Sequence, residues 1–145
     1  MKALDILKEE LIDNFISHYS VGDTWRLCFG NCWLICQNVI SKDEEFLTRL
    51  IQDNYKIAKE SVDKNYISKS IVITSNMRIL VTGLELDNKS NLTIEFENGS
   101  NIIIPSNEEI VDWQWCLNES GNDPYRDYLV ACFWEGEIKL NADTA

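Results

Sequence analysis

Trp25-Arg26-Leu27-Cys28-Phe29-Gly30-Asn31-Cys32-Trp33-Leu34-Ile35-Cys36 is the stretch that decides the fold class. Trp25, Leu27 and Phe29 alternate with Arg26 and Cys28, the two-residue period of a half-buried strand. Gly30-Asn31 supplies a turn whose residues tolerate positive φ, so Cys32 to Cys36 returns as an antiparallel partner. The register set by that turn places Cys32 and Cys36 on the face of Trp25 and Leu27, and Cys28 on the other.

Toward the N-terminus, Leu4, Leu7, Leu11 and Phe15, with Ile6, Ile12 and Ile16, recur at three- and four-residue spacing and predict a helix of roughly four turns. His18 falls at its C-terminal end, before Val21-Gly22-Asp23 breaks the pattern. Beyond the hairpin, Ser41 and Glu44 read as a capping box. Phe46, Leu47, Leu50, Ile51, Tyr55 and Ala58 then share one face of a second helix ending near Glu60. Residues 61–69 read as turn, and Ile71-Val72-Ile73 and Ile79-Leu80-Val81 as strands.

The rest reads as β structure. Leu92, Ile94 and Phe96 alternate up to Asn98-Gly99, the strongest short hairpin signal, and Ile102 to Ile104 runs back to Pro105. Val111, Trp113, Trp115 and Leu117 alternate with Asp112, Gln114 and Cys116, which puts both tryptophans on one apolar face. Tyr128 to Trp134 is a further strand, turned by Glu135-Gly136 into Glu137 to Leu140. The Trp25 and Leu92 hairpins resemble each other, either as an internal duplication or because any amphipathic hairpin with a Gly/Asn turn writes this pattern. No Pro/Gly/Ser-rich linker divides the chain. The expectation is a single α+β domain over residues 1–145, with a mixed, mainly antiparallel sheet built of hairpins and two helices packed on one face.

At 145 residues, 45% hydrophobic and 10% aromatic, the chain can bury a core without disulfides or metal and is not a disordered sequence. It has no uncharged apolar run of about 18 residues, and charges interrupt the apolar positions of its first ten residues, against a spanning helix or secretory leader. Cys28, Cys32, Cys36, Cys116 and Cys132 form an odd set inside apolar runs, which suits reduced thiols in the cytoplasm. Net charge is −11; residues 1–81 carry 11 acids and 10 bases, whereas residues 82–145 carry 13 acids and 3 bases. Such a field repels nucleic acid and anionic membrane and attracts basic proteins, although an acidic surface also serves solubility alone.

Enzyme chemistry has no visible seat. The three thiols Cys28, Cys32 and Cys36 cannot converge on one ion with Cys28 on the opposite face, and the usual CxxC pair is missing. His18 suits a helix-capping or surface role better than that of a base. Walker, G-x-S-x-G, H-E-x-x-H and G-x-G-x-x-G patterns do not occur. Carboxylate pairs such as Glu95 and Glu97 read as the solvated outer face of a sheet. No catalytic residue, metal or cofactor is expected.

The most distinctive tract runs from Asp112-Trp113-Gln114-Trp115 through Glu119 and the turn-rich loop Asn118–Asp127 to Tyr128. Trp and Tyr rings flanked by carboxylates suit the anchoring of a basic partner, with the acids steering it and the rings supplying desolvated contact. Asp112, Trp115, Glu119, Asp123, Tyr125 and Asp127 are the candidate contact residues; as plain structure, Trp113 and Trp115 would be core and the loop a connection.

By size, acidity, reduced cysteines and this acidic aromatic tract, the chain resembles the small immunity proteins of bacterial toxin systems, including contact-dependent growth inhibition. The resemblance implies a cytoplasmic protein that binds the toxic domain of a cognate effector, often a basic nuclease, and blocks its active site or its substrate path. A different class remains open: a small-molecule or regulatory domain with a pocket lined by Trp25, Trp33, Trp113 or Trp134. An enzyme using Cys28, Cys32 or Cys36 with His18 is the third.

Overall fold

A computed structural model describes residues 2–57, 64–109 and 111–141. In chain order the elements are α1 (Ala3–Leu11), β1 (His18–Val21), β2 (Trp25–Phe29), β3 (Cys32–Cys36), α2 (Glu44–Asn54), α3 (Lys64–Ser75), β4 (Val81–Leu86), β5 (Leu92–Phe96), β6 (Asn101–Ile104), β7 (Trp113–Asn118), β8 (Val130–Phe133) and β9 (Ile138–Leu140). The strands form a six-stranded sheet, β1-β2-β3-β7-β8-β9, and a three-stranded one, β4-β5-β6, with every pairing antiparallel. The α+β class holds, with the hairpins divided between two sheets. No helix among the described residues is long and apolar enough to cross a membrane.

The decisive hairpin forms as its pattern requires. Phe29 pairs with Cys32 across Gly30, whose φ is +73°, and Trp25 pairs with Cys36. Trp25, Leu27, Phe29, Cys32, Leu34 and Cys36 all face the main core, and Cys28 faces the other side opposite Trp33. Trp115, Leu117, Val130 and Cys132 of the large sheet meet Leu84, Leu92, Ile94, Phe96, Ile102 and Ile104 of the small one in that core, joined by Leu7 and Leu11 of α1 and Val72 and Ile73 of α3. Each such aliphatic or aromatic side chain contributes about 1.5–3 kcal/mol on leaving water.

Tertiary context overrides several local signals. The first helix stops at Leu11, because Asp13 turns at φ +62° and the Asn14 amide donates to the Phe29 carbonyl at 2.7 Å. Ile16 still reaches the core, but from an extended segment, and His18 opens β1 rather than ending a helix. Residues 64–69, read as turn, and Ile71-Val72-Ile73, read as a strand, belong to α3. Ser68, Lys69, Val72 and Ile73 form its buried side, a helical spacing that outweighs three consecutive β-branched residues. Residues 61–63, together with Ala58 and Glu60 of the expected second helix, lie outside the described residues. Of Ile79-Leu80-Val81 only Val81 is in a strand.

The expected capping box of the second helix does not form. Ser41 Oγ is buried without a hydrogen-bond partner among the described residues, and Glu44 turns inward to Lys69 at 2.8 Å. Phe46 and Leu50, expected on the apolar face of this helix, are exposed, and α2 buries no residue fully. Lys69 also donates to the Val39 carbonyl at 2.6 Å, so one buried cation ties α3 to α2 and to the segment leaving β3. Lys69→Met strands Glu44 and that carbonyl, and is expected to cost about 3 kcal/mol in urea unfolding, part of it recovered by adding Glu44→Leu.

Candidate functional site

The two faces of the six-stranded sheet differ. The inner face carries the main core; the outer carries a small cluster of Ile35, Trp113, Cys116 and Ala131, with Trp33, Tyr128 and Phe133 packed around it. Trp113 and Trp115 are therefore on opposite faces, against the alternation of the sequence. A β-bulge between them in the β7–β8 pairing inserts one residue and turns Trp113 outward.

The loop from Asn118 to Asp127 folds back over this outer face. Asn118, fully buried, donates to the carbonyls of Asn122 at 2.7 Å and Asp127 at 3.1 Å, and accepts from the Gly121 amide at 2.9 Å. Gly121 has φ +77°, and a Cβ there would sit 3.2 Å from the Trp33 indole, so only glycine lets the loop lie this close. Arg26 clamps the same turn, donating to the Gly121 carbonyl at 3.1 Å and pairing with Asp123 at 3.3 Å. The loop then returns along β7 and delivers the Tyr125 hydroxyl to Asp112 at 3.3 Å.

Beside Asp112 the surface opens into a groove of about 1030 Å³ lined by Glu109, Val111, Asp112, Phe133, Trp134, Glu135, Glu137 and Lys139. Trp134 is 57% exposed, held by the hydrogen bond its backbone N–H donates to the Asp112 carbonyl at 3.2 Å and followed by Glu135 at φ +61° and Gly136 at φ +80°. Lys139 already demonstrates the chemistry of this place: its ammonium sits 5.1 Å from the centre of the Phe133 ring and 4.0 Å from Glu137. Tyr125 itself lines a smaller depression that combines Asp123 and Asp127 with Arg26 and Arg126.

Of the residues expected from the sequence, Asp112 lines the groove, and Asp123, Tyr125 and Asp127 line the neighbouring depression, joined to it by the Tyr125–Asp112 hydrogen bond. Glu119 lies at the other end of β7, where its charge, after burial, Glu10 and Cys28, helps push the Cys32 thiol up to about 12. Trp115 is fully buried in the main core and is not part of this surface. Trp134, named only for a pocket, was missed as a contact residue, as were Glu109, Glu135 and Glu137. Glu135-Gly136 read correctly as a turn, and an indole followed directly by two acids around the turn glycine was the available signal. The acids of the second half are not all gathered here, since Glu85, Asp87, Glu95 and Glu97 belong to the three-stranded sheet and its turns. Among the described residues Asp123 is the only one of them paired with a base of the first 81 residues. The phenol of Tyr125 is raised by lost hydration and then by Asp112.

Of the tryptophans named for a pocket, Trp134 lines the groove and the other three do not. Trp25 faces the helices, with its ring 5.3 Å from that of Tyr66, whereas Trp33 and Trp113 lie on the opposite side of the sheet. His18 is opposite Cys28 in the β1–β2 register, with its ring 5.9 Å from that of Trp33, while Cys32 and Cys36 are buried on the other face. Among the described residues no group of three or more His, Cys, Asp or Glu is placed to hold a metal ion.

Fold and surface thus define an α+β protein with an acidic, aromatic groove at one end of its larger sheet. Comparison with family models, curated proteins and solved structures finds no match.

Proposed function

We propose that this chain is a cytoplasmic binding protein that neutralises a basic protein, as an immunity protein does a toxin domain such as a nuclease, by covering its cationic active site. The observation that carries the reading is the exposed Trp134 among Glu109, Asp112, Glu135 and Glu137, next to Tyr125. An exposed indole ringed by carboxylates is poor surface for a protein acting alone. Against lysine and arginine side chains it offers cation–π contact, charge pairing and a large desolvated area. The bonds of Asn118 and Arg26 hold the neighbouring loop in place beforehand, which lowers the entropy lost on binding.

Mixing the chain with the basic C-terminal domain of a toxin encoded beside it is expected to give a complex that weakens steeply with salt. Trp134→Ala should weaken it by about 2 kcal/mol, roughly thirtyfold, and Asp112→Lys should chiefly slow association. Absence of any salt-sensitive complex would remove the reading. A complex indifferent to both substitutions would move the site elsewhere.

A further inference from the structure

Among the described residues the larger sheet ends in two strands, β1 and β9, that pair with no further strand and differ in charge. Next to β9 lie Glu135, Glu137 and, across the groove, Glu109 and Asp112, so two copies of this −11 chain would repel there. The other edge, β1, reads His18-Tyr19-Ser20-Val21 and carries no acid, lysine, arginine or proline. Native proteins guard an open edge with lysine, proline, a covering segment or a bulge along it. Here, Ser17 and His18 bulge against Cys28 only at the entry to the strand, as the Ser17 amide bonding to the Cys28 carbonyl at 2.9 Å shows, and the edge from Tyr19 onward is regular.

The alternation of hydrogen bonds identifies which backbone groups this edge presents. The two-residue turn at Gly30-Asn31 makes Phe29 and Cys32 a hydrogen-bonded pair, so Trp25, Leu27 and Phe29 direct their amides and carbonyls toward β3. Arg26 and Cys28 direct theirs toward β1, where Ser20 and His18 stand opposite them. Tyr19 and Val21 are left with N–H and C=O pointing away from the sheet. No other described strand pairs with β1.

We infer that β1 pairs antiparallel with β1 of a second copy, about a twofold axis through Ser20, joining two sheets into one of twelve strands. This register sets Tyr19 opposite Val21 of the second copy, and the reverse, each exchanging two backbone hydrogen bonds. Both are aromatic with β-branched pairs on one face, a favoured cross-strand combination, and Val21, 40% exposed in one chain, gains cover. A register shifted by one residue would pair an inward side chain with an outward one, which the pleat forbids. The contact is small and isologous, which places association on the order of micromolar. The acidic grooves, at the far edges of the joined sheet, stay open to their partners, so the inference stands apart from the proposed function.

Sedimentation velocity of the full chain over a micromolar concentration series tests it. The wild type is expected to shift from monomer to dimer, with the Tyr19 and Val21 amides gaining protection from hydrogen exchange as the dimer fills. Val21→Pro removes an amide that makes no bond within the chain, and Val21→Lys sets two like charges near the axis. Each should weaken the dimer about tenfold or more with the fold retained. A wild type that stays monomeric through high micromolar concentration overturns the inference. So does a dimer unaffected by both variants, or one dissolved by Phe46→Glu on α2 and not by them.

Discussion

Raising the pH above 9.0, the ordinary thiol value, is expected to unfold the protein in one steep alkaline transition. Burial pushes the thiols of Cys32, Cys116 and Cys132 up to about 12, and that of Cys36 further still. Second to burial, Glu10 acts on Cys32 and the loop carboxylates Asp123 and Asp127 on Cys116. Between these values the unfolded chain releases thiol protons that the folded chain keeps, so stability is complete below 9.0 and falls as pH rises. Each thiol takes away up to about 1.4 kcal/mol per pH unit. Four acting together would exhaust a stability of roughly 5–15 kcal/mol within a few pH units. Urea midpoints measured from neutral pH upward should show a slope approaching four protons. Cys132→Ala should flatten that slope by one, and an unchanged slope would show that other groups titrate.

Trp115→Ala is expected to be the most destabilising of the single substitutions considered, toward the upper end of roughly 3–5 kcal/mol. The indole is fully buried, and its Nε1 donates to the Ser90 carbonyl at 2.9 Å. Ser90 turns at φ +67°, and its hydroxyl donates to the Gly136 carbonyl at 2.6 Å. One side chain thus joins β7 to the β4–β5 turn, which is itself bonded to the turn that carries Trp134. Its removal leaves a cavity and an unpaired carbonyl. The residual folded fraction, measured well below its melting temperature, should still bind the basic partner with close to normal affinity. Trp134→Ala should do the opposite, changing stability by no more than about 0.5 kcal/mol while losing affinity. Equilibrium unfolding together with calorimetric titration separates the two tryptophans, and equal loss of affinity in both would contradict their assignment.

These two residues also mark how far the sequence could be read. Asp112, Asp123, Tyr125 and Asp127 were legible as a surface because acids and rings at a turn-rich loop have few other uses. Trp115 was legible as apolar, but not as buried beyond reach of a partner. Trp113 and Trp115 stand two apart in a strand pattern, and that spacing cannot reveal a bulge, since the extra residue is recognised only against the neighbouring strand. Trp134 ended a strand in the pattern, and became the centre of a groove only because its amide donates to the Asp112 carbonyl across the β7–β8 pairing.

The sequence by itself determined the elements whose signal is local: the Gly30-Asn31 and Asn98-Gly99 hairpins, the face on which each cysteine of the first hairpin lies, the first turns of α1, and the acidity of the second half. Alternation and turn chemistry act over a few residues, so a few residues suffice to read them. Only the tertiary structure decided that Ile71 to Ile73 would be helical, that Glu44 would answer Lys69 rather than cap its helix, that the strands would divide between two sheets, and which acids would meet around Trp134. Each of these depends on what another part of the chain presents at that point, and burial against a distant partner outweighs a local preference worth less than about 1 kcal/mol per residue.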